Sequence, residues 1–242
     1  MISFLFNTFF YRPLYNVLIL LSSITPGHDL GLAIILLTLV VRLAFSPLSH
    51  KALHTQKKMR ELEPELKKIK EKHKDNAEEQ GRATMALYRE HGVNPFSGIA
   101  LIFIQLPLFF ALYWVARDNL ASVATVAYSF VIPPTGINRL FLGILDITKP
   151  SVLLAIATGI TYFFQARFSV PPPRPKEPGK ESSFGDDFMK GMTMQTQYIL
   201  PIFIVFAGIK LGAAVLLYWA TSNLFSIGHE LFIRRKAVAL QA

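Results

Sequence analysis

Apolar residues in this chain fall into long blocks instead of alternating with polar ones. Residues 30–49, 95–116 and 151–166 form three such blocks and 192–228 a fourth. A helix crossing hydrocarbon needs about 20 mostly apolar residues. The fourth block is too long for one span and carries Lys210 and Gly212 near its centre. It therefore divides into 192–209 and 211–228 around a tight turn at "GIKLG". The pattern predicts five spans. The last three are short, and local bilayer thinning would accommodate them.

Between the blocks the pattern changes. Leu53, Met59, Leu62, Leu66 and Ile69 recur mostly at three- to four-residue steps amid Lys and Glu, which predicts an amphipathic helix. "KDNAEE" interrupts it, and Asn76 followed by Glu79 reads as the capping box of a second helix. That helix carries Met85 and Tyr88 and stops at "HGVNP", where Gly92 can close its end and Pro95 cannot continue it. Residues 50–94 are thus expected to form a charged helical hairpin. Residues 167–191, with "PPPRPKEPGKESSFGDD", read as a flexible loop. Residues 117–150 are moderately apolar, broken by "IPPTG", and expected to lie along the membrane surface.

The first 29 residues admit three readings: signal peptide, sixth span, or a helix in the interface. A signal peptide should show a basic start and a small-residue cleavage site, and neither is evident. Arg12-Pro13 interrupts a full span. The favoured reading is an N-terminal interfacial amphipathic helix on the outer side. The expected fold is an all-α integral membrane protein, a five-transmembrane-helix bundle with a cytoplasmic helical hairpin.

Composition agrees with this class. The 242 residues are 52% hydrophobic, and with no cysteine the chain has no disulfide or thiolate chemistry. The net charge of +9 could indicate nucleic acid, but basic loops on the cytoplasmic side explain it better. Of the 25 Lys and Arg, eleven lie in 50–94, five in 167–190 and three in the tail 229–242. That bias puts both long loops and the tail inside.

One charge does not fit. Arg42 sits within "LAIILLTLVVRLAFSPL", and no proposed span contains an Asp or Glu. The cytoplasm should begin near Lys51, nine residues on, or about 13 Å along a helix. An arginine side chain spans only about half of that, so snorkelling does not readily reach it. A guanidinium does not escape the cost of hydrocarbon by losing its proton. A hydrated cavity entered from the cytoplasmic side answers the problem. Thr38, Arg42, Ser46 and Ser49 share one face at steps of four, four and three. Gln105, Gln165, Gln195, Gln197 and the stripe Tyr218, Ser222, Ser226 are further candidates for a shared wet interior. Singly, each is also a candidate for an interhelical hydrogen bond.

"GLAIILLTLVVRLAFSPLSHKAL", "MALYREHGVNPFSGIALIFIQLPLFFALYW", "FLGILDITKPSVLLAIATGITYFFQ" and "AAVLLYWATSNLFSIGHELFI" closely resemble the YidC/Oxa/Alb family of membrane-protein insertases. The resemblance runs from about residue 29 to 233. It implies that Arg42 is a groove arginine attracting acidic parts of substrates, and that Thr38, Tyr218 and Trp219 contact substrate. It implies a nascent segment sliding along the second and fourth spans, and the hairpin as a mobile handover element. The implied partners are nascent membrane proteins and the lipid bilayer, with the ribosome and a Sec translocon as further candidates; the implied location is a bacterial plasma membrane. Two departures stand out. The extra N-terminal span and large periplasmic domain of some bacterial members are not seen here. Firm ribosome binders also carry longer basic tails than "IRRKAVALQA".

A small channel or transporter is the alternative, since a charged cavity can serve an ion. No inverted repeat or second intramembrane charge favours it. A catalytic reading is poor: His50 and His54 stand at i, i+4 on a lysine-rich helix with no carboxylate placed beside them. "GxSxG" is absent. No metal, cofactor or nucleotide is expected.

Overall fold

The computed structural model describes residues 2–94, 105–114, 126–169, 191 and 193–239. Most of the 167–191 loop, much of 95–116, the start of 117–150 and the end of the tail fall outside the described residues. Contacts divide the chain into two compact units, residues 1–42 with 109–242, and residues 43–108.

The first unit opens with helix α1 (Ile2–Phe6), a π-helical turn (Asn7–Tyr11) and α2 (Arg12–Ile24). Arg12-Pro13, expected to interrupt this run, leaves it helical. Proline lacks an N–H, and its ring clashes with the carbonyl four residues back. The wider turn, in which the Arg12 N–H donates to the Asn7 carbonyl, gives that ring room. The same arrangement recurs at Gln195–Ile199, where the Leu200 N–H donates to Gln195 immediately before Pro201. Phe4–Ile24 is 21 residues and apolar enough to cross a membrane by length and composition. By that measure it serves as a span as readily as a surface helix.

Helix α3 (Leu30–Ala44) is shorter than the expected 30–49. The chain turns at Phe45 and restarts as α4 (Ser46–Glu61), because Pro47 cannot donate back to Leu43. Arg42 therefore lies in the last turn of α3. Ser46 and Ser49 belong to the next helix and to the other unit, so the four-residue polar face continues only from Thr38 to Arg42. Residues 126–150 form a loop whose strands β1 (Leu140–Phe141) and β2 (Leu145–Asp146) pair antiparallel.

After α5 (Glu63–Lys72), α6 (Ala77–Glu90) and α7 (helical over 105–114), helices α8 (Val152–Ser169), α9 (Leu200–Gly208) and α10 (Ala213–Ala239) pack together. Small residues set the approach. A Cβ on Gly208 would overlap Leu216 at 2.9 Å and crowd Ala155, and one on Gly159 would crowd the Pro201 carbonyl. Such close contact is how helices associate without a hydrophobic drive between them. Helix α10 runs 27 residues, about 40 Å, and continues through the expected tail boundary at 228. Nothing in "IGHELFIRRKAVA" breaks a helix, and basic residues suit a helix C-terminus.

The loop caps these helices. Asp29, buried, accepts from the N–H groups of Gly31 (2.7 Å) and Leu32 (3.1 Å) at the start of α3. Its other oxygen accepts from the Leu142 N–H at 2.7 Å. Ser151 caps α8 through the Leu154 N–H (3.3 Å). The first N–H groups of α10, Ala213 and Ala214, donate to the carbonyls of Lys149 (2.9 Å) and Ile147 (2.8 Å). Within the loop, the Thr148 hydroxyl donates to Asp146 at 2.7 Å and Lys149 lies 3.2 Å away. These contacts, the hydroxyl foremost, hold the Asp146 carboxyl below its ordinary range. Asn16, also buried, accepts from the Tyr128 N–H (2.7 Å) and donates to the Val126 carbonyl (3.2 Å), while Arg12 stacks over Tyr128.

The second unit holds α4, α5 (Glu63–Lys72), α6 (Ala77–Glu90) and the start of α7, helical over 105–114. Helices α5 and α6 fold back on each other over Leu62, Leu87, Tyr88 and Val93, with Met59, Leu66, Ile69 and Met85 packed alongside. The Asn76 side chain accepts from the Glu79 N–H at 3.1 Å. The Glu79 carboxylate turns instead to His73 Nδ1, 3.0 Å away. Gly92 closes α6 with a φ of +63°, a conformation glycine adopts without strain.

Candidate functional site

Helix α3 contributes Thr38 and Arg42, one turn apart on one face. Thr38 is fully buried and its hydroxyl donates to the Ile34 carbonyl at 2.6 Å. Arg42 is half-buried, and the phenol of Tyr218 on α10 is close enough to interact with it electrostatically. The ion pairs among the described residues are His73–Glu79, Arg82–Glu78 and Lys149–Asp146. None involves Arg42.

Helix α10 carries further polar residues. Tyr218 and Ser222 lie one turn apart and are both buried. The Ser222 hydroxyl has no hydrogen-bond partner among the described residues, and a hydroxyl left so in a dry interior costs about 1–3 kcal/mol. Ser226 donates to the Ser222 carbonyl at 2.9 Å. Nearby residues tie α10 to α8: the Thr158 hydroxyl reaches the Leu216 carbonyl (3.2 Å), and Asn223 Nδ2 donates to the Thr161 hydroxyl (3.2 Å). Thr158, Thr161 and Asn223 were not singled out in the sequence. The two threonines stand three residues apart on one face, but hydroxyls in apolar helices usually bond their own backbone.

The remaining candidates do not join this group. Trp219 is partly exposed and meets the Phe109 ring edge-on, with centroids 6.2 Å apart. Gln165 donates to the Ser169 hydroxyl on its own helix at 3.2 Å. Gln105 is half-buried and belongs to the second unit. Gln197 is buried and Gln195 exposed within the second π turn. The structure thus sets Arg42 within electrostatic range of Tyr218, with Thr38 one turn before Arg42 on α3 and Ser222 one turn after Tyr218 on α10. Among the described residues no three His, Asp or Glu side chains converge as a metal site needs. A half-buried cation between apolar helices can attract an anionic or polar group, while Thr38, Tyr218 and Ser222 are packed out of reach in this structure.

The family model described as 60Kd inner membrane protein matches residues 20–239. The membrane protein insertase YidC of Francisella tularensis subsp. novicida (strain U112) is 33% identical over 205 residues, which is 85% of this chain and 32% of the relative. The same figures hold for that of Francisella tularensis subsp. holarctica (strain LVS). This chain therefore spans about a third of the length of the curated relatives it matches. A crystal structure described as active YidC insertase with the first transmembrane domain resolved matches with a TM-score of 0.55 at 26% identity. It covers 92% of this chain and 45% of the solved one.

Proposed function

This chain belongs to the 60Kd inner membrane protein family, and on that premise we propose that it is a membrane-protein insertase and chaperone. It takes nascent transmembrane segments from the cytoplasm through a hydrophilic, inward-open groove containing Arg42 and releases them into lipid. The observation carrying this reading is the half-buried Arg42 beside Tyr218, with no carboxylate paired to it among the described residues.

Moving a polar terminus across hydrocarbon is costly because charge and backbone must both shed water. A groove that admits water partway shortens the dry distance, and short helices with a thinned bilayer shorten it further. Arg42 attracts a carboxylate where the effective dielectric is below that of bulk water. Burial of the substrate's apolar stretch in lipid drives the process at about 0.8 kcal/mol per CH₂. This chain needs no covalent step or nucleotide.

In this reading five spans carry the groove, and the basic loops and C-terminus face the cytoplasm of a bacterial inner membrane. The helical hairpin 50–94 projects there and hands over substrate, with the ribosome and a Sec translocon as candidate partners. Residues 1–29 lie along the outer face. Their contacts support this. Phe6 meets Trp114, Arg12 and Asn16 meet residues 126–128, and the turn after Ile24 meets Asn138. Every one of these partners falls between residues 114 and 138, a level that a crossing helix would leave within a few turns.

Photo-crosslinking residues placed beside Arg42, Gln105 and Tyr218, in the full chain, test this with a ribosome-stalled nascent membrane protein. Adducts are expected from all three positions, weakening as the stalled segment lengthens and leaves. Their absence at every length would overturn the reading.

A further inference from the structure

The loop that caps α3, α8 and α10 also carries an apolar tip. Leu142 and Ile144 flank Gly143 in the β1–β2 turn and are 61% and 87% exposed; Leu140, Phe130 and Ile132 of the same loop are exposed as well. Tight turns facing water favour Asn, Asp, Ser and Gly. This one is apolar and firmly held. Leu142 has a φ of +53°, uncommon for any residue but glycine. Its N–H is fixed by the buried Asp29 at 2.7 Å, and the Gly143 and Ile144 N–H groups close the turn on Leu140 and Phe141 at 3.0 Å each. Phe141 lies so close over Gly31 that a Cβ there would overlap its ring. The fold thus spends a strained residue to hold two large apolar side chains outward.

Their surroundings indicate what covers them. The apolar surface resumes at the start of α8, where Val152 and Leu153 are exposed, and continues through Ile156 and Ile160, the belt that faces lipid in the proposed arrangement. Arg139 and Lys149, just outside the two strands, are exposed cations where lipid phosphates would lie, Lys149 also reaching Asp146 at 3.2 Å. Apolar residues beneath a cationic rim are the pattern of a segment seated in a membrane interface.

We infer that the Leu142–Ile144 turn is a lipid anchor seated in the outer leaflet, with Arg139 and Lys149 at the phosphate level. It holds the capped ends of α3, α8 and α10 at a fixed depth. The inference rests on the orientation proposed above, in which this loop lies outside.

Because the chain has no cysteine, single Leu142→Cys and Ile144→Cys variants of the full chain can carry an environment-sensitive fluorophore. Lys74→Cys, in the exposed turn between α5 and α6, is the aqueous reference. In phosphatidylethanolamine–phosphatidylglycerol vesicles, both tip labels should be blue-shifted and quenched several-fold by lipids carrying a shallow quencher. Iodide, loaded on both faces of the vesicles so that sidedness does not matter, should quench them several-fold less than the Lys74 label. Iodide quenching equal to the reference would overturn the anchor. So would labels shielded from both quenchers, which would mean a protein contact instead. Insertion activity is measured separately on the unlabelled chain, so loss of the insertase reading and loss of the anchor are distinguishable.

Discussion

Replacing Arg42 with alanine should lower the insertion of substrates with acidic translocated segments by about tenfold, while neutral ones change less than about twofold. A carboxylate about 8 Å from a guanidinium gains about 2 kcal/mol at an effective dielectric near 20. Partial screening by groove water reduces that to about a factor of ten. Arg42→Lys should retain part of the activity, because a hydrated groove uses the charge more than the planar fork. The fold should survive Arg42→Ala, since no ion pair among the described residues involves that side chain. Insertion in reconstituted vesicles, scored for paired acidic and neutral substrates, checks this. An equal loss for both would assign Arg42 a structural role.

Asp29→Ala should be the most damaging single change outside the spans. It removes the cap of α3, worth about 1 kcal/mol. It also strands the Leu142 N–H, an orphaned donor costing about 1–3 kcal/mol. A total of about 2–4 kcal/mol corresponds to a fall of about 5–15 °C in Tm for a chain of this size. Asp29→Asn, which keeps one acceptor oxygen, should lose less. Thermal unfolding of the purified protein in detergent measures both. An alanine variant melting with the wild type would contradict the clamp.

Neither the clamp nor the Asn16 contacts could be read from the sequence, and the reason is distance along the chain. Asn16 meets residues 126 and 128, and Asp29 meets Leu142. Local patterns carry no information about partners more than 100 residues away. By local pattern alone, Asn16 is one polar residue in an apolar run and Asp29 one residue of a turn. What depends on neighbours within a turn was legible. Asn76 capping the Glu79 N–H, Gly92 closing α6 and the turn over residues 209–212 follow from residue chemistry alone. Prolines were legible only in kind. Pro13 signalled a disturbance, but a proline does not say whether a helix breaks or widens. Pro13 and Pro201 each follow a π turn that keeps the run helical, whereas Pro47 marks a break.

At the site, Arg42 was conspicuous because charge is expensive in hydrocarbon wherever the other helices lie. Its neighbour Tyr218 could be placed on a polar stripe but not aimed. Gln165 shows the limit of such stripes, since a glutamine in a span can be satisfied within its own helix. The hydroxyl-bearing face of α8 was missed for the complementary reason: threonines that bond their own backbone resemble ordinary helix residues until a second helix supplies an acceptor.

The hydration of Arg42 is open to direct measurement. In a chain without cysteine, Arg42→Cys can be exposed to a charged, membrane-impermeant methanethiosulfonate from the cytoplasmic side, with Leu36→Cys on an exposed apolar face of the same helix as reference. The reagent attacks only thiolate, which forms where water reaches. Modification at position 42 should run at least about a hundredfold faster than at position 36, given the barrier that hydrocarbon sets to a charged group. Equal, negligible rates at both positions would mean that the guanidinium sits dry, and would contradict the groove.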